Sequence, residues 1–294
     1  MTRILCIGEA MAEIRSEGTG FAVGFAGDTF NTAVYCRRRL RSGSVAYQTR
    51  VGNEPLSEGF LRLAGAEGLD LSAIGREAGH NLGIYSVQTD AKGERSFAYW
   101  RSDSAARRMF LTAADFAALE GADLIYLSGI TLAILDPAAR EALLARLAEL
   151  RAAGVRVAFD SNYRPRLWPD AETARQMIGR AWALADIALP SVDDEMALFG
   201  DADAASVLAR LGPREGALKR GAEGPLALQP GVTAPAFAPA ERVVDTTAAG
   251  DSFNGGFLAA LAEGADTAAA MAAGHALARQ VVGLPGAIVA TTAD

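Results

Sequence analysis

An α/β fold built on a mostly parallel sheet is what the sequence predicts, and three observations predict it. From about residue 113 short apolar runs alternate steadily with helical stretches, the pattern of strands covered by helices on both faces. The apolar runs ILCIG and DLIYLSG are nearly continuous, as strands buried on both sides require. With 294 residues, half of them hydrophobic, the chain has the material for a full core. No repeat, low-complexity segment or long linker divides it, so a single domain over 1–294 with a small β appendage is expected.

The elements follow in order. ILCIG, after Arg3, reads as a buried strand. It starts like a secretory leader, but Glu9 and Glu13 interrupt the apolar run after a few residues. Residues 9–29 are rich in Gly and polar groups, and a helical stretch runs from about Phe30 to Arg41. VAYQTRVG from Val45 is a strand, and a helix follows from about Leu56 to Glu67. GIYSVQTD and RSFAYWR flank DAKGE, whose Lys92–Gly93 marks a turn, so 80–101 reads as a hairpin inserted in an α/β chain. Beyond it come a strand at Asp123, a helix Pro137–Ala153, a strand at Arg156, a helix near Ala171–Leu184, IALPS at Ile187 with Asp193–Phe199 after it, GALKRG at Gly216 with the apolar run GPLALQ, and two helices over roughly 252–263 and 267–282. Ligands of such sheets sit at the carboxyl ends of the strands. Ser128–Gly129, Asp160 to Arg164, Ser191 to Glu195 and Lys219 to Gly221 fall there.

Composition excludes several functions. A net charge of −7 argues against a general nucleic-acid binder, which needs clustered excess Lys and Arg. Cys6 and Cys36 are the only cysteines, without the spacing of a zinc site. His80 and His275 are the only histidines, and neither stands near a nucleophile in sequence. No segment has the roughly 20 apolar residues that span a bilayer, so a cytoplasmic enzyme is the default. GxxxxGK[ST] and a GxGxxG after the first strand are both missing, which removes the two commonest nucleotide loops.

DTTAAGDSFNGGFLAAL, from Asp245 to Leu261, is the most informative stretch. Ala248, Ala249 and Gly250 are small residues at the start of a helix, where unpaired N–H groups and the helix dipole receive an anion. Asp251 in that position either caps the helix or acts on the group attacking a bound phosphate.

Asp245 to Asp251 resembles the DTxGAGD signature of the PfkB, or ribokinase-like, family of sugar kinases, and other pieces appear in that family's order. Gly27-Asp28-Thr29-Phe30-Asn31-Thr32-Ala33 resembles its sugar-binding GGxxxNxA segment. Ser191 to Asp194 sits where NxxE is usual, and Lys219 to Gly224 resembles its K-x-G-x-x-G nucleotide loop. GEAMAEI at Gly8, FDSNYRPRLW at Phe159 and Ala248–Ala249 in the signature are most similar to the branch acting on 2-keto-3-deoxygluconate. The chain departs from the pattern at Ala26, Ser191, Asp194 and Ala248, where Gly, Asn, Glu and Gly are common.

The resemblance implies a three-layer α/β/α domain with lid strands from about 9–29 and 80–108, and an ATP-dependent kinase of a sugar acid. It makes Asp251 the base, with the amides of Ala248, Ala249, Gly250 and Asp251 around the transferring phosphoryl group. It lines the sugar site with Gly27, Asp28, Asn31, Tyr85, Tyr99, Arg101 and Arg164, the two arginines holding a carboxylate by forked hydrogen bonds. Asn162, Ser191, Lys219, Gly221 and Gly224 would border the nucleotide, and Asp194 or Glu195 would hold Mg²⁺ through water. A potassium ion near Asp245 and Thr247 is a further implication, and the exposed β edge of the hairpin itself leads to the expectation of a homodimer formed through it. The competing expectations are a kinase of another sugar or sugar acid, such as fructose, ribose or a dehydro-deoxygluconate, and a sugar- or nucleotide-binding regulator without turnover.

Overall fold

The computed structural model describes residues 2–17, 19–89, 95–233 and 235–290. Twelve strands are formed among them: β1 Arg3–Ile7, β2 Met11–Glu17, β3 Gly20–Ala26, β4 Ser44–Val51, β5 Ile74–Arg76, β6 Gly83–Thr89, β7 Arg95–Trp100, β8 Leu124–Ser128, β9 Arg156–Asp160, β10 Ile187–Ala188, β11 Glu215–Leu218 and β12 Leu226–Ala227. The α-helices are α1 Asp28–Arg39, α2 Pro55–Ala66, α3 Ala113–Ala117, α4 Gly129–Ile134, α5 Pro137–Ala152, α6 Ala171–Leu184, α7 Val192–Phe199, α8 Ala204–Leu211, α9 Ala249–Ala262 and α10 Thr267–Val281.

The main sheet runs β12-β11-β10-β9-β8-β1-β4-β5. Every pairing in it is parallel except β11 with β12. Alternate side chains of β1 explain its two covered faces. Leu5 and Ile7 enter one core with the residues of α4, α5 and α6, whereas Ile4 and Cys6 enter another with α1, α9 and α10. The expected three-layer α/β/α architecture is therefore present. The chain pairs β4 on one side of β1 and later β8 on the other, which makes the carboxyl end of β1 a topological switch point, the usual crevice for a ligand.

A second sheet, in the order β3-β2-β6-β7, stands apart from the first. Its outer pairs β2/β3 and β6/β7 are antiparallel, and β2 pairs β6 in parallel. The expected turn at Lys92–Gly93 lies outside the described residues.

Two helix starts differ from the sequence reading. α1 begins at Asp28 rather than Phe30, and α9 begins at Ala249 rather than 252 because Ala248 takes a left-handed conformation that launches the helix early. The helix α8 carries no expectation from sequence, and it is set by Asp203, whose side chain accepts from the Ser206 amide in a reciprocal capping box. Cys6 and Cys36 are both buried and free, and burial pushes the Cys36 thiol up to about 12. Among the described residues no helix is long and apolar enough to cross a membrane.

Candidate active site

The helix α9 starts with an unusual backbone. Ala248 has φ 60 and ψ 16, the left-handed region that costs a residue with a Cβ about 1–2 kcal/mol. This turn leads into a helix whose first internal bond is Ser252 N–H to the Ala248 carbonyl at 2.8 Å. The amides of Gly250 and Asp251 thus have no acceptor within the helix. Asp251 does not cap it. The Asp251 Oδ2 accepts from Asn31 Nδ2 at 2.8 Å, and its carbonyl accepts from Thr32 Oγ1 at 3.2 Å. Both donors stand on α1, and the two helices can approach because position 255 is glycine. A Cβ there would fall 2.7 Å from Tyr35 Cβ and 2.8 Å from the Cys36 nitrogen.

Burial, and next the carboxylate of Asp28, push the Asp251 carboxyl up to about 7. The Asn31 hydrogen bond opposes this, Asp160 adds to it and Lys219 opposes it. A carboxyl so poised at neutral pH can take a proton from a hydroxyl.

The expected sugar residues fall on both sheets. Gly27 precedes α1 where a Cβ would lie 2.1 Å from the Glu9 carbonyl oxygen. Asp28 Oδ2 accepts from Ser128 Oγ and, at 2.8 Å, from Asn162 Nδ2. Asn162, expected beside the nucleotide, therefore gives its side chain to the sugar-side carboxylate instead; its own amide is held by Asp160 Oδ1 at 3.1 Å. On the second sheet Tyr85 is buried and donates to Glu13 Oε1 at 2.8 Å, while Tyr99 is half exposed and stacks on it with centroids 6.0 Å apart. Arg101 Nη2 binds Glu9 Oε2, and the other Glu9 oxygen takes the Ser104 hydroxyl. Arg164 bonds the Tyr163 carbonyl at 2.7 Å and Asp194 Oδ1 at 3.0 Å. The two arginines expected to share one substrate carboxylate are thus each paired with a different resident one.

Toward the carboxyl ends of β10 and β11 a cavity of about 390 Å³ is lined by Ser191, Lys219, Gly221, Gly250, Phe253 and His275 among others. Gly224 is not part of that lining; its φ of 77 turns the loop, and a Cβ there would meet Phe237 Cβ at 2.5 Å. Lys219 is buried, its Nζ 2.5 Å from Asp160 Oδ2. Of the two expected metal carboxylates, Asp194 is partly exposed and carries Arg164. Glu195 is fully buried with Oε2 on Arg210 at 2.6 Å, so its charge is already paired inside the fold. Burial raises both carboxyls.

Sequence reasoning missed Glu9, Glu13, Asp160, Asn254 and Tyr126. Glu9 and Glu13 had a signal, since acids inside an apolar strand run need partners; that signal served only to reject a leader. Asp160 was marked as a strand end without a role.

The pfkB family carbohydrate kinase model matches residues 1–293. The chain belongs to the pfkB family. It is similar to the 2-dehydro-3-deoxygluconokinase of Escherichia coli K12, 41% identical over 98% of this chain and 97% of that protein. The 2-dehydro-3-deoxygluconokinase of Dickeya dadantii is 42% identical over 97% and 96%. Among solved structures, a PfkB protein from Polaromonas sp. JS666 superposes with a TM-score of 0.82 at 27% identity, covering 97% of each chain. A 2-dehydro-3-deoxygluconokinase from Thermotoga maritima, at 20% identity and TM-score 0.83 over 99% and 97%, shows the same fold. The pfkB assignment agrees with the order of motifs from Gly27 to Asp251, and it covers the chain rather than one segment.

Proposed function

We propose that this pfkB kinase transfers the γ-phosphoryl group of ATP to the terminal hydroxyl of 2-keto-3-deoxygluconate, giving 2-keto-3-deoxy-6-phosphogluconate. The observation that carries the reading is the placement of Asp251. It stands at the open amides of α9, close to neutrality in its titration, and next to the sugar-side residues Asn31 and Asp28. Similarity to relatives named for this substrate supports the choice of acceptor.

In the reaction Asp251 removes the proton of the sugar hydroxyl as its oxygen attacks the γ-phosphorus. The bond from that phosphorus to the β-phosphate oxygen breaks, and ADP leaves. The amides of Gly250 and Asp251 stabilise charge gathering on the transferred group. Asp28 orients the sugar through the carboxylate oxygen that Ser128 and Asn162 leave free. Tyr85, Tyr99 and Arg101 on the second sheet act as the lid that excludes water.

The described residues contain no group of three or more His, Cys, Asp or Glu able to hold a metal ion. Asp194, a partly exposed carboxylate, would touch Mg²⁺ carried on the nucleotide through water, as this ion prefers. Held there, Mg²⁺ would supply positive charge against the phosphates. We also place a potassium ion beside the Asp245–Thr247 loop, the enzyme in the cytoplasm, and a homodimer on the second sheet, where Phe21, Val23 and Trp100 are exposed.

A neutral sugar is the second reading, favoured by the pairing of Arg101 with Glu9 and of Arg164 with Asp194. ADP release from MgATP with 2-keto-3-deoxygluconate, gluconate, fructose and ribose separates them. Turnover confined to the keto-deoxy acid is expected. Turnover on fructose or ribose alone would sink the acid reading, and none with any acceptor would leave a binding protein.

A further inference from the structure

The cluster beneath the first turn of α9 has more organisation than the reaction above uses. Lys219, 9% exposed, donates to Asp160 Oδ2 at 2.5 Å and to Asn254 Oδ1 at 3.2 Å. Asn254 Nδ2 donates to the same Asp160 oxygen at 2.7 Å and lies 3.0 Å from the Tyr126 hydroxyl. Asp160 and Asn254 are both buried. Three elements, β9, the end of β11 and α9, therefore meet at one carboxylate.

Stability does not account for the cluster. Taking an ammonium and a carboxylate out of water opposes their attraction, and a well-packed apolar pair of similar volume joins elements as well or better. Residue choice points elsewhere. Lys92 and Lys219 are the only lysines among 28 basic residues, so this chain uses arginine almost everywhere that a cation suffices. An ammonium differs in being a compact point charge with three N–H donors. Asp160 and Asn254 take two. The third has no acceptor among the described residues, and Nζ lies 3.5 Å from where a Cβ on Gly250 would stand. Lys219 also lines the same cavity as Gly250 and Ser191.

We propose that Asp160 and Asn254 are positioning residues that fix Lys219 at the first turn of α9, where its third N–H meets the phosphoryl group during transfer. Lys219 thus serves the chemical step more than nucleotide affinity. The proton of the sugar hydroxyl goes to Asp251. The inference rests on the reading that this turn receives the γ-phosphate, and deepens it by assigning the cation there.

The test compares wild type, Lys219→Met, Asp160→Asn and the double variant by steady-state kinetics with 2-keto-3-deoxygluconate and MgATP, with MgADP affinity by calorimetry and thermal unfolding alongside. Lys219→Met is expected to lower kcat about 10²–10³-fold, the loss typical of one transition-state donor, with MgADP affinity changed less than about 5-fold. Asp160→Asn should lose a comparable part of kcat. The double variant should fall within about 3-fold of the worse single one, because coupled residues are not additive. A fall in affinity as large as the fall in kcat overturns the proposal, as do multiplying losses or variants that lose only thermal stability. Wild type without turnover or MgADP binding would overturn the kinase reading as well, whereas active wild type with active variants sinks this inference alone.

Unfolded variants would leave a decision to the unmodified protein. Labelled with ¹⁵N at lysine, it has ε-ammonium signals from only Lys92 and Lys219. The Lys219 signal should move with MgADP plus aluminium fluoride and stay near its free position with MgADP alone. The same shift in both states overturns the proposal.

Discussion

Asp251, the proposed base, is where a single residue's surroundings would set a rate. A general base must be ionised to accept a proton, and this carboxyl titrates at about 7. The pH profile of kcat/KM should therefore rise through pH 7 and level above it. Asp251→Asn should reduce kcat by about 10³-fold or more, and a profile that is flat from pH 5.5 to 8 would refute the assignment. Stability should respond in the opposite sense. A folded-state pKa raised above the unfolded value favours the folded protein below the unfolded pKa, and that contribution is lost as pH rises through about 7. Asp251→Asn should therefore be more stable than wild type at pH 8, by about 1–3 kcal/mol after allowing for partial solvation, and the advantage should shrink at pH 5. Ala248 is the second residue with a cost. Ala248→Gly removes about 1–2 kcal/mol of left-handed strain and adds about 0.5–1 kcal/mol of chain entropy. Chemical denaturation should show it unchanged or more stable by up to about 1.5 kcal/mol. From the residues alone Asp251 could cap the helix or act on an attacking group, and only the resemblance of Asp245 to Asp251 to the family signature favoured the second. The partner of Asn162 was not legible, since a loop amide reaches several carboxylates and only the fold chooses among them.

At the level of elements, the contact between α1 and α9 positions the proposed base. It brings Asn31 and Thr32 to Asp251, residues more than 200 positions apart in the chain. Gly255 permits that approach. Gly255→Ala should push the helices apart and cost about 1–3 kcal/mol by overpacking, with a drop in kcat that Gly264→Ala, in an open turn with nothing within 4 Å, does not share through contact. Both helices were readable from their periodicity. Their contact was not, because a helix shows its apolar face in sequence but not which helix that face meets. The lid strands were only partly legible for a related reason. GIYSVQT and RSFAYW alternate as a hairpin should, whereas β2 and β3 lie in a Gly-rich stretch whose β character comes from pairing, β3 with β2 and β2 with β6.

For the whole molecule, the parallel sheet and its covered faces followed from continuous apolar runs, and the fold agrees. Strand order did not follow, since parallel strands joined by helices can be threaded on either side of β1. A ligand of the intact site should stabilise the whole chain. MgADP at about 100 times its Kd should add about 2.7 kcal/mol, and for a chain of 294 residues that raises Tm by about 4–6 °C. Differential scanning fluorimetry reads this directly.

The central position of β1 also has a meaning in time. Its partner β4 ends at Val51, but β8, which closes the other side, begins at Leu124. During synthesis at about 5–20 residues per second, one edge of the first strand waits on the order of 4–15 s for its neighbour. An apolar strand with an open edge is a template for the wrong partner. The nascent chain thus passes through an interval of vulnerability that the finished protein, with Ile4 to Ile7 fully buried, no longer shows.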